Sequence, residues 1–169
     1  MEPTVRALTP QEWPAYRDTR LRSLAESPAA FGRTLAEEQA RSDREWAERL
    51  RSGCESGTDL PLIAELESRP VGLAWGRFPN PADRHDAYLF QMWVDPAVRG
   101  RGVGRRLLAA VIDWARASGA HRLNLGVTCD TPAMRLYARA GFESVGERSP
   151  VRPGSPLMGQ RMQLPLRSG

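Results

Sequence analysis

Lysine is absent from this chain. All 24 basic residues are arginine, so the protein has no ε-amine of its own to be modified. They outnumber the 20 acidic residues and leave a net charge of +4. Cysteine is scarce: Cys54 and Cys129 make no disulfide framework, and no His/Cys spacing suits zinc. No metal is expected. Cys129 reads either as a nucleophile or as an inert buried thiol, and nothing in sequence marks a base beside it. Long apolar runs are missing, which excludes a spanning helix and points away from a membrane. The stretch Met1–Arg6 has neither a basic start nor an apolar core. No secretory signal is visible, and a cytoplasmic location is expected. Strips that interleave basic and aromatic residues are also missing. The arginines instead alternate with acids, as in Arg41-Ser42-Asp43-Arg44-Glu45-Trp46-Ala47-Glu48-Arg49. That pattern fits a solvated mixed surface better than a nucleic-acid interface.

What is present is enough sequence for one domain, 1–169, with a sizeable core. Val5, Ala7 and Leu8 begin a strand. Thr9, Pro10 and Glu12 then start a helix that runs to about Ala25, with Tyr16, Leu21 and Leu24 towards the core. Glu26–Gly32 breaks it. A second helical region covers Leu35 to Arg51, and Ser42 or Asp43 starts its last part afresh. Three strands follow: Leu60–Glu67, a strand with Val71, Leu73 and Trp75 alternating, and Ala87–Val94. Arg69-Pro70 is read as the tip between the first two. Tyr88, Phe90, Met92 and Val94 are placed on one face of the third. A helix over Gly102–Ala117 carries Val103, Leu107, Leu108, Val111, Ile112 and Ala115 at helical spacing. Then come a strand at Leu123–Val127, a short helix capped by Asp130 or Thr131, and strands at Phe142–Gly146 and Met162–Leu166. The order β-αα-βββ-α-β-α-ββ is that of an α/β (α+β) domain, helices flanking a mixed, mostly antiparallel central sheet.

The richest segment is Val94-Asp95-Pro96-Ala97-Val98-Arg99-Gly100-Arg101-Gly102-Val103-Gly104-Arg105-Arg106. A strand ends, a loop of glycine and arginine follows, and a helix begins inside it. Glycine allows φ > 0 and close approach of the backbone to a ligand. Free N–H groups and the helix dipole favour an anion at such a helix start. The arrangement suits a pyrophosphate, with Arg99 or Arg101 able to fork onto phosphate oxygens and Arg105 adding charge. Solvated arginines on an ordinary strand-to-helix turn are the plainer alternative.

Three segments together resemble the GCN5-related N-acetyltransferases, the GNAT family. The first is Met92-Trp93-Val94-Asp95-Pro96 leading into Arg99-Gly100-Arg101-Gly102-Val103-Gly104. The second is Leu123-Asn124-Leu125-Gly126-Val127. The third is Ala133-Met134-Arg135-Leu136-Tyr137-Ala138-Arg139-Ala140-Gly141-Phe142. The resemblance implies an acetyl-CoA-dependent transfer of an acetyl group to a primary amine, by direct attack in a ternary complex. Acetyl-CoA would lie between two splayed strands, with backbone groups of Met92 and Val94 pairing with the pantetheine. Gly100, Gly102, Val103 and Gly104 would wrap the pyrophosphate. Tyr137 would protonate the leaving thiolate, since the matching tyrosine of relatives points at the CoA sulfur. Asp130 stands where the family often has an asparagine that touches the pantetheine arm, and it lacks the amide donor. Related enzymes are often homodimers.

The base is left open among Glu37, Glu38, His85, Asp86 and ordered water. Adjacent carboxylates such as Glu37-Glu38 usually form a solvated face. Carboxylates bordering the acceptor would favour a small basic amine. Trp46, Trp75 and Trp93 fit either an acceptor pocket or the core. The runner-up to an enzyme is a non-catalytic acyl-CoA-binding module.

Overall fold

The computed structural model describes residues 2–28 and 33–166; residues 29–32 of the helix break read from the sequence lie outside them. β1 (Thr4–Ala7) leads through a 3₁₀ turn (Pro10–Glu12) into α1 (Trp13–Glu26). Two helices follow, α2 (Leu35–Gln39) and α3 (Asp43–Glu55), then the strands β2 (Asp59–Leu66), β3 (Arg69–Arg77) and β4 (Asp86–Val94). α4 (Val103–Ala117), β5 (Arg122–Thr128), α5 (Pro132–Arg139), β6 (Glu143–Pro150) and β7 (Met158–Pro165) complete the order. The second helical region is therefore two helices. Thr34 and Glu37 exchange backbone and side-chain bonds at the start of α2 (2.8 and 3.1 Å), and Ser42 and Glu45 do so at the start of α3. Two capping boxes so close together restart the chain instead of letting one helix run through.

The seven strands form one sheet in the order β1-β2-β3-β4-β5-β7-β6. Every pairing is antiparallel except β4 with β5. Alternation along each strand divides the core in two. Leu62, Ala64 and Ala74 face α4, whose Val103, Leu107, Leu108, Val111 and Ala115 fill that side; Val71, expected to alternate with Leu73 and Trp75, joins this cluster instead because the β2–β3 register shifts by one residue there. Ile63, Leu73 and Trp75 face Tyr16 of α1 and Trp46 and Leu50 of α3. Leu107 has no exposed surface, and truncating such a residue to alanine costs about 2–5 kcal/mol.

Two further local expectations are corrected. The β2–β3 tip is Glu67-Ser68, both at positive φ (54° and 65°), and Arg69-Pro70 already belong to β3. Consecutive left-handed residues match the twist of a two-residue hairpin. The second correction concerns β4. Its register with β3 shifts by one residue between the pairs Trp75↔Phe90 and Leu73↔Trp93, and Gln91 sits there at φ 57°. One extra residue reverses which face each later side chain takes. Tyr88 and Phe90 thus stack together at 6.0 Å, while Met92 and Val94 pack on the α4 core.

Among the described residues no helix is long and apolar enough to cross a membrane.

Candidate active site

β4 and β5 run side by side only from Asp86↔Arg122 to Tyr88↔Asn124. Beyond that they part, and a cleft of about 1510 Å³ opens between them. Both strands, the Arg/Gly loop, the start of α4, α5 and the inner sides of α1, α2 and α3 line it. The bulge at Gln91 lies on its wall.

The edge of β4 that faces this gap is polar. Asp95 N–H donates to Val71 O at 2.8 Å, and Leu73↔Trp93 is in the same register. Antiparallel alternation then turns the backbone groups of Trp93 and Asp95 towards β3 and those of Met92 and Val94 towards the gap. Arg99 crosses this edge. Its Nε donates to Val94 O at 3.3 Å and its Nη2 lies 3.3 Å from Glu26, which also accepts from Trp93 Nε1 at 2.9 Å.

Gly100 and Gly102 both adopt φ 83°, a conformation an L side chain rarely takes. Gly102 caps α4 from this left-handed state, and Arg106 N–H is the first amide bonded back along the chain, to Gly102 O at 3.0 Å. The amides of Val103, Gly104 and Arg105 have no intrahelical acceptor and form an anion-favouring helix start in the cleft lining. Gly104 serves packing: a Cβ there would lie 3.2 Å from Leu136 Cδ2 and 3.5 Å from Val94 Cγ2. Arg101 and Asp130 lie outside the lining. Asp130 is exposed, sits at φ 61° and faces Arg148 at 3.6 Å, while Thr131 caps α5 by accepting from Met134 N–H at 3.3 Å.

Tyr137 lines the cleft from α5, with its ring 5.7 Å from that of Phe142. Its burial raises the phenol pKa, so the hydroxyl keeps its proton across the neutral range. Among the described residues no group hydrogen-bonds that hydroxyl.

Of the acids and histidine considered as bases, Glu38 alone lines the cleft. Glu37 is exposed and caps α2; His85 pairs with Asp83 at 2.8 Å, its ring 4.2 Å from that of His121 and tilted by 40°; Asp86 holds Arg122 and Asn124. Glu38 is buried rather than solvated. Burial alone would raise its pKa, but hydrogen bonds from Arg49 and Arg41 overcome that and hold it below the usual carboxylate value. It is a poor proton acceptor. Trp46 is core, whereas Trp75 and Trp93 line the cleft with their indole N–H groups bound to Asp59 and Glu26.

The α1–α3 side of the cleft was not legible as a site in the sequence. Arg20, Arg49 and Arg77 line it with Glu38, an arginine excess opposite to the carboxylate-rich border expected there. Tyr16 Oη donates to Gln91 Oε1 at 2.9 Å and ties this side to the bulge. One signal was available: Tyr16, Arg20 and Leu24 recur every four residues on α1, which places an arginine inside a buried stripe.

The family model of the acetyltransferase (GNAT) family matches residues 12–142. A mycothiol acetyltransferase from Brachybacterium faecium is 29% identical over 140 residues, covering 82% of this chain and 40% of that protein. The chain spans less than half the length of the first curated relatives it matches. The structure of a GNAT-family acetyltransferase from Streptococcus pneumoniae aligns at TM-score 0.84 and 22% identity, covering 98% of this chain and all 100% of the other. A candidate acetyltransferase from Salmonella typhimurium, solved with its cofactor acetyl-CoA, aligns at TM-score 0.80 and 22% identity over 100% and 96% of the two chains. At that identity the likeness to both structures is one of fold.

Proposed function

This chain belongs to the GNAT family of acetyltransferases, and on that footing we propose that it transfers the acetyl group of acetyl-CoA to a primary amine by direct attack in a ternary complex. The observation that carries the reading is a coincidence of two features in one cleft. Past Tyr88 the strands β4 and β5 separate, and at the mouth of that gap the Val103–Arg105 amides stand without intrahelical partners. A pantetheine arm can add to the β4 edge as a strand would, through Met92 and Val94. A pyrophosphate suits the helix start.

The roles follow from position. Val103, Gly104 and Arg105 hold the pyrophosphate through main-chain N–H groups, with the Arg105 side chain adding charge. Arg99 orders the β4 edge through Val94 O, and Glu26 holds it there. A backbone N–H in the Met92–Val94 segment donates to the tetrahedral oxyanion. Tyr137, protonated because it is buried, returns a proton to the thiolate. General acid help of this kind gives typically about 10²–10⁴-fold in rate. Holding both reactants in line supplies much of the rest. The amine must arrive neutral, and with Glu38 locked among arginines that proton leaves through ordered water.

An amine panel with acetyl-CoA, read by free-thiol release and product mass, tests the reading. Acetylated product from at least one amine, with equimolar thiol, is expected. Tight acetyl-CoA binding with no product from any amine would overturn catalysis and leave an acyl-CoA-binding module.

A further inference from the structure

The cleft holds an aromatic face that nothing in the chain covers. Among the described residues three large apolar side chains are exposed, Phe90, Leu157 and Met158, and of these Phe90 alone lines the cleft. It is 43% exposed. A solitary exposed phenylalanine needs no explanation, but Phe90 is not solitary. Tyr88 stacks beside it, with ring centroids 6.0 Å apart and planes only 11° from parallel. Trp75, its partner across β3, also lines the cleft and is fixed by a bond from its Nε1 to Asp59 at 2.7 Å.

The other side of the gap is bare. Asn124 Nδ2 donates to Asp86 Oδ1 at 3.0 Å, which puts Asn124 on the face that Asp86, Tyr88 and Phe90 share. The strands are still in register at Tyr88↔Asn124, so two residues further on Gly126 stands level with Phe90 on that face. Gly126 also lines the cleft. A Cβ there would meet nothing within 4 Å, and the residue has no positive φ to maintain. Neither packing nor conformation calls for glycine at this position. Its missing side chain leaves room opposite Phe90.

A cation can sit on an aromatic face, but the arginine excess on this side of the cleft works against one. An uncharged flat ring suits it, in offset or edge contact with Phe90. Phe90 directly precedes the bulge, and Met92 lies about 6–7 Å further along the strand. A ring with a short carbon arm covers that span and brings its nitrogen to the segment assigned above to the acetyl carbonyl.

We propose that the acceptor is a primary arylalkylamine, its ring held on Phe90 in the room left by Gly126 and its nitrogen at the bulge. This rests on the acetyltransferase reading and narrows its acceptor. The nitrogen lone pair forms the N–C bond to the acetyl carbon as the C–S bond breaks. The nitrogen loses one proton, and the CoA sulfur leaves as a thiol. The ring is a handle and takes no part in bond changes.

The test places phenethylamine, 2-cyclohexylethylamine and ethylamine, which share one arm, in the amine panel with acetyl-CoA and the full chain. Rates are compared per neutral amine. kcat/KM for phenethylamine is expected to exceed that for ethylamine by about tenfold or more, mostly through KM. It should exceed that for the cyclohexyl compound by about two- to tenfold, the worth of ring contact beyond area. Phe90→Ala should abolish the second ratio, and Gly126→Leu should fill the room and lower the first by about tenfold. The wild-type ratios need no variant, so they decide even if a variant does not fold. Ethylamine or the cyclohexyl compound turned over as well as phenethylamine sinks the arylalkylamine assignment alone and leaves the acetyltransferase reading standing. So does a ring preference that survives in folded F90A protein, or product from other amines but none from phenethylamine. Failure of every amine in the panel sinks both.

Discussion

Replacing Gly102 tests the anion site most directly, because strain and charge can be separated there. The residue sits at φ 83°, where an L side chain is strained by about 1–2 kcal/mol. A Cβ would meet only Arg105 Nη2, at 3.8 Å, so there is no clash to unfold the loop. Gly102→Ala should thus fold and bind CoA up to about tenfold more weakly, if all the strain appears in the bound state. Gly102→Glu adds a carboxylate beside the Val103–Arg105 amides. It competes for those donors and opposes the pyrophosphate. A pair of unit charges about 5 Å apart at an effective dielectric near 20 repel by about 3 kcal/mol, a further hundredfold or more. Together the two effects remove roughly three orders of magnitude. Calorimetric titration with CoA, alongside circular dichroism and thermal midpoints for both variants, makes the comparison. A folded Gly102→Glu protein that binds CoA as tightly as Gly102→Ala would show that no phosphate approaches this helix start.

Tyr137→Phe should keep the ring on Phe142 and leave acetyl-CoA affinity within about threefold, while kcat falls by about 10² or more; wild-type turnover would remove Tyr137 from the acid role. Gly53→Ala sets a helix gain of up to about 1 kcal/mol against a Cβ placed 2.4 Å from Trp75 Cζ2. Because Trp75 Nε1 is tied to Asp59 at 2.7 Å, overpacking at about 1–3 kcal/mol wins, and a lowered thermal midpoint is expected. Glu12 has its pKa lowered from 4.5 to about 2, chiefly by the hydrogen bond from Arg6. Its contribution is present above pH 4.5 and lost as pH falls towards 2. With Arg6 largely in solvent the worth is about 1 kcal/mol, so Glu12→Gln should lower the urea midpoint at pH 7 and converge with wild type near pH 2.

The parts legible in the sequence are those governed by local rules. Val103, Leu107, Leu108, Val111 and Ala115 repeat at helical spacing and are all buried against the sheet. Gly100 and Gly102 advertise positive φ, and both have it. The parts that were not legible depend on distant partners. Gln91 is no glycine, yet it takes φ 57° because Tyr16 and the β3 register hold it, and neither is visible from the residues around it. Glu37 and Glu38 are identical by type and adjacent, but only Glu37 is solvated. Glu38 turns inward because Arg20 on α1 and Arg49 on α3 converge on it from 18 and 11 residues away in sequence.

The arginine cluster also changes how the proton problem is posed. An alkyl ammonium keeps its proton until about pH 10 in water, and a search for catalytic groups would look for a carboxylate to take it. A carboxylate near the amine, however, stabilises the ammonium and raises the pKa that must be overcome. Guanidinium charges do the reverse: each disfavours a neighbouring cation and lowers that pKa. Within the proposed reaction, guanidinium charge in the cleft lining would ease the acceptor nitrogen towards the neutral form. Glu38 is not available as a base, since Arg41 and Arg49 already occupy its oxygens. On this reasoning the missing base among Glu37, His85 and Asp86 is no gap in the site. In the proposed reaction, electrostatic pressure on the ammonium and water entering the open cleft would do the work of a dedicated side chain.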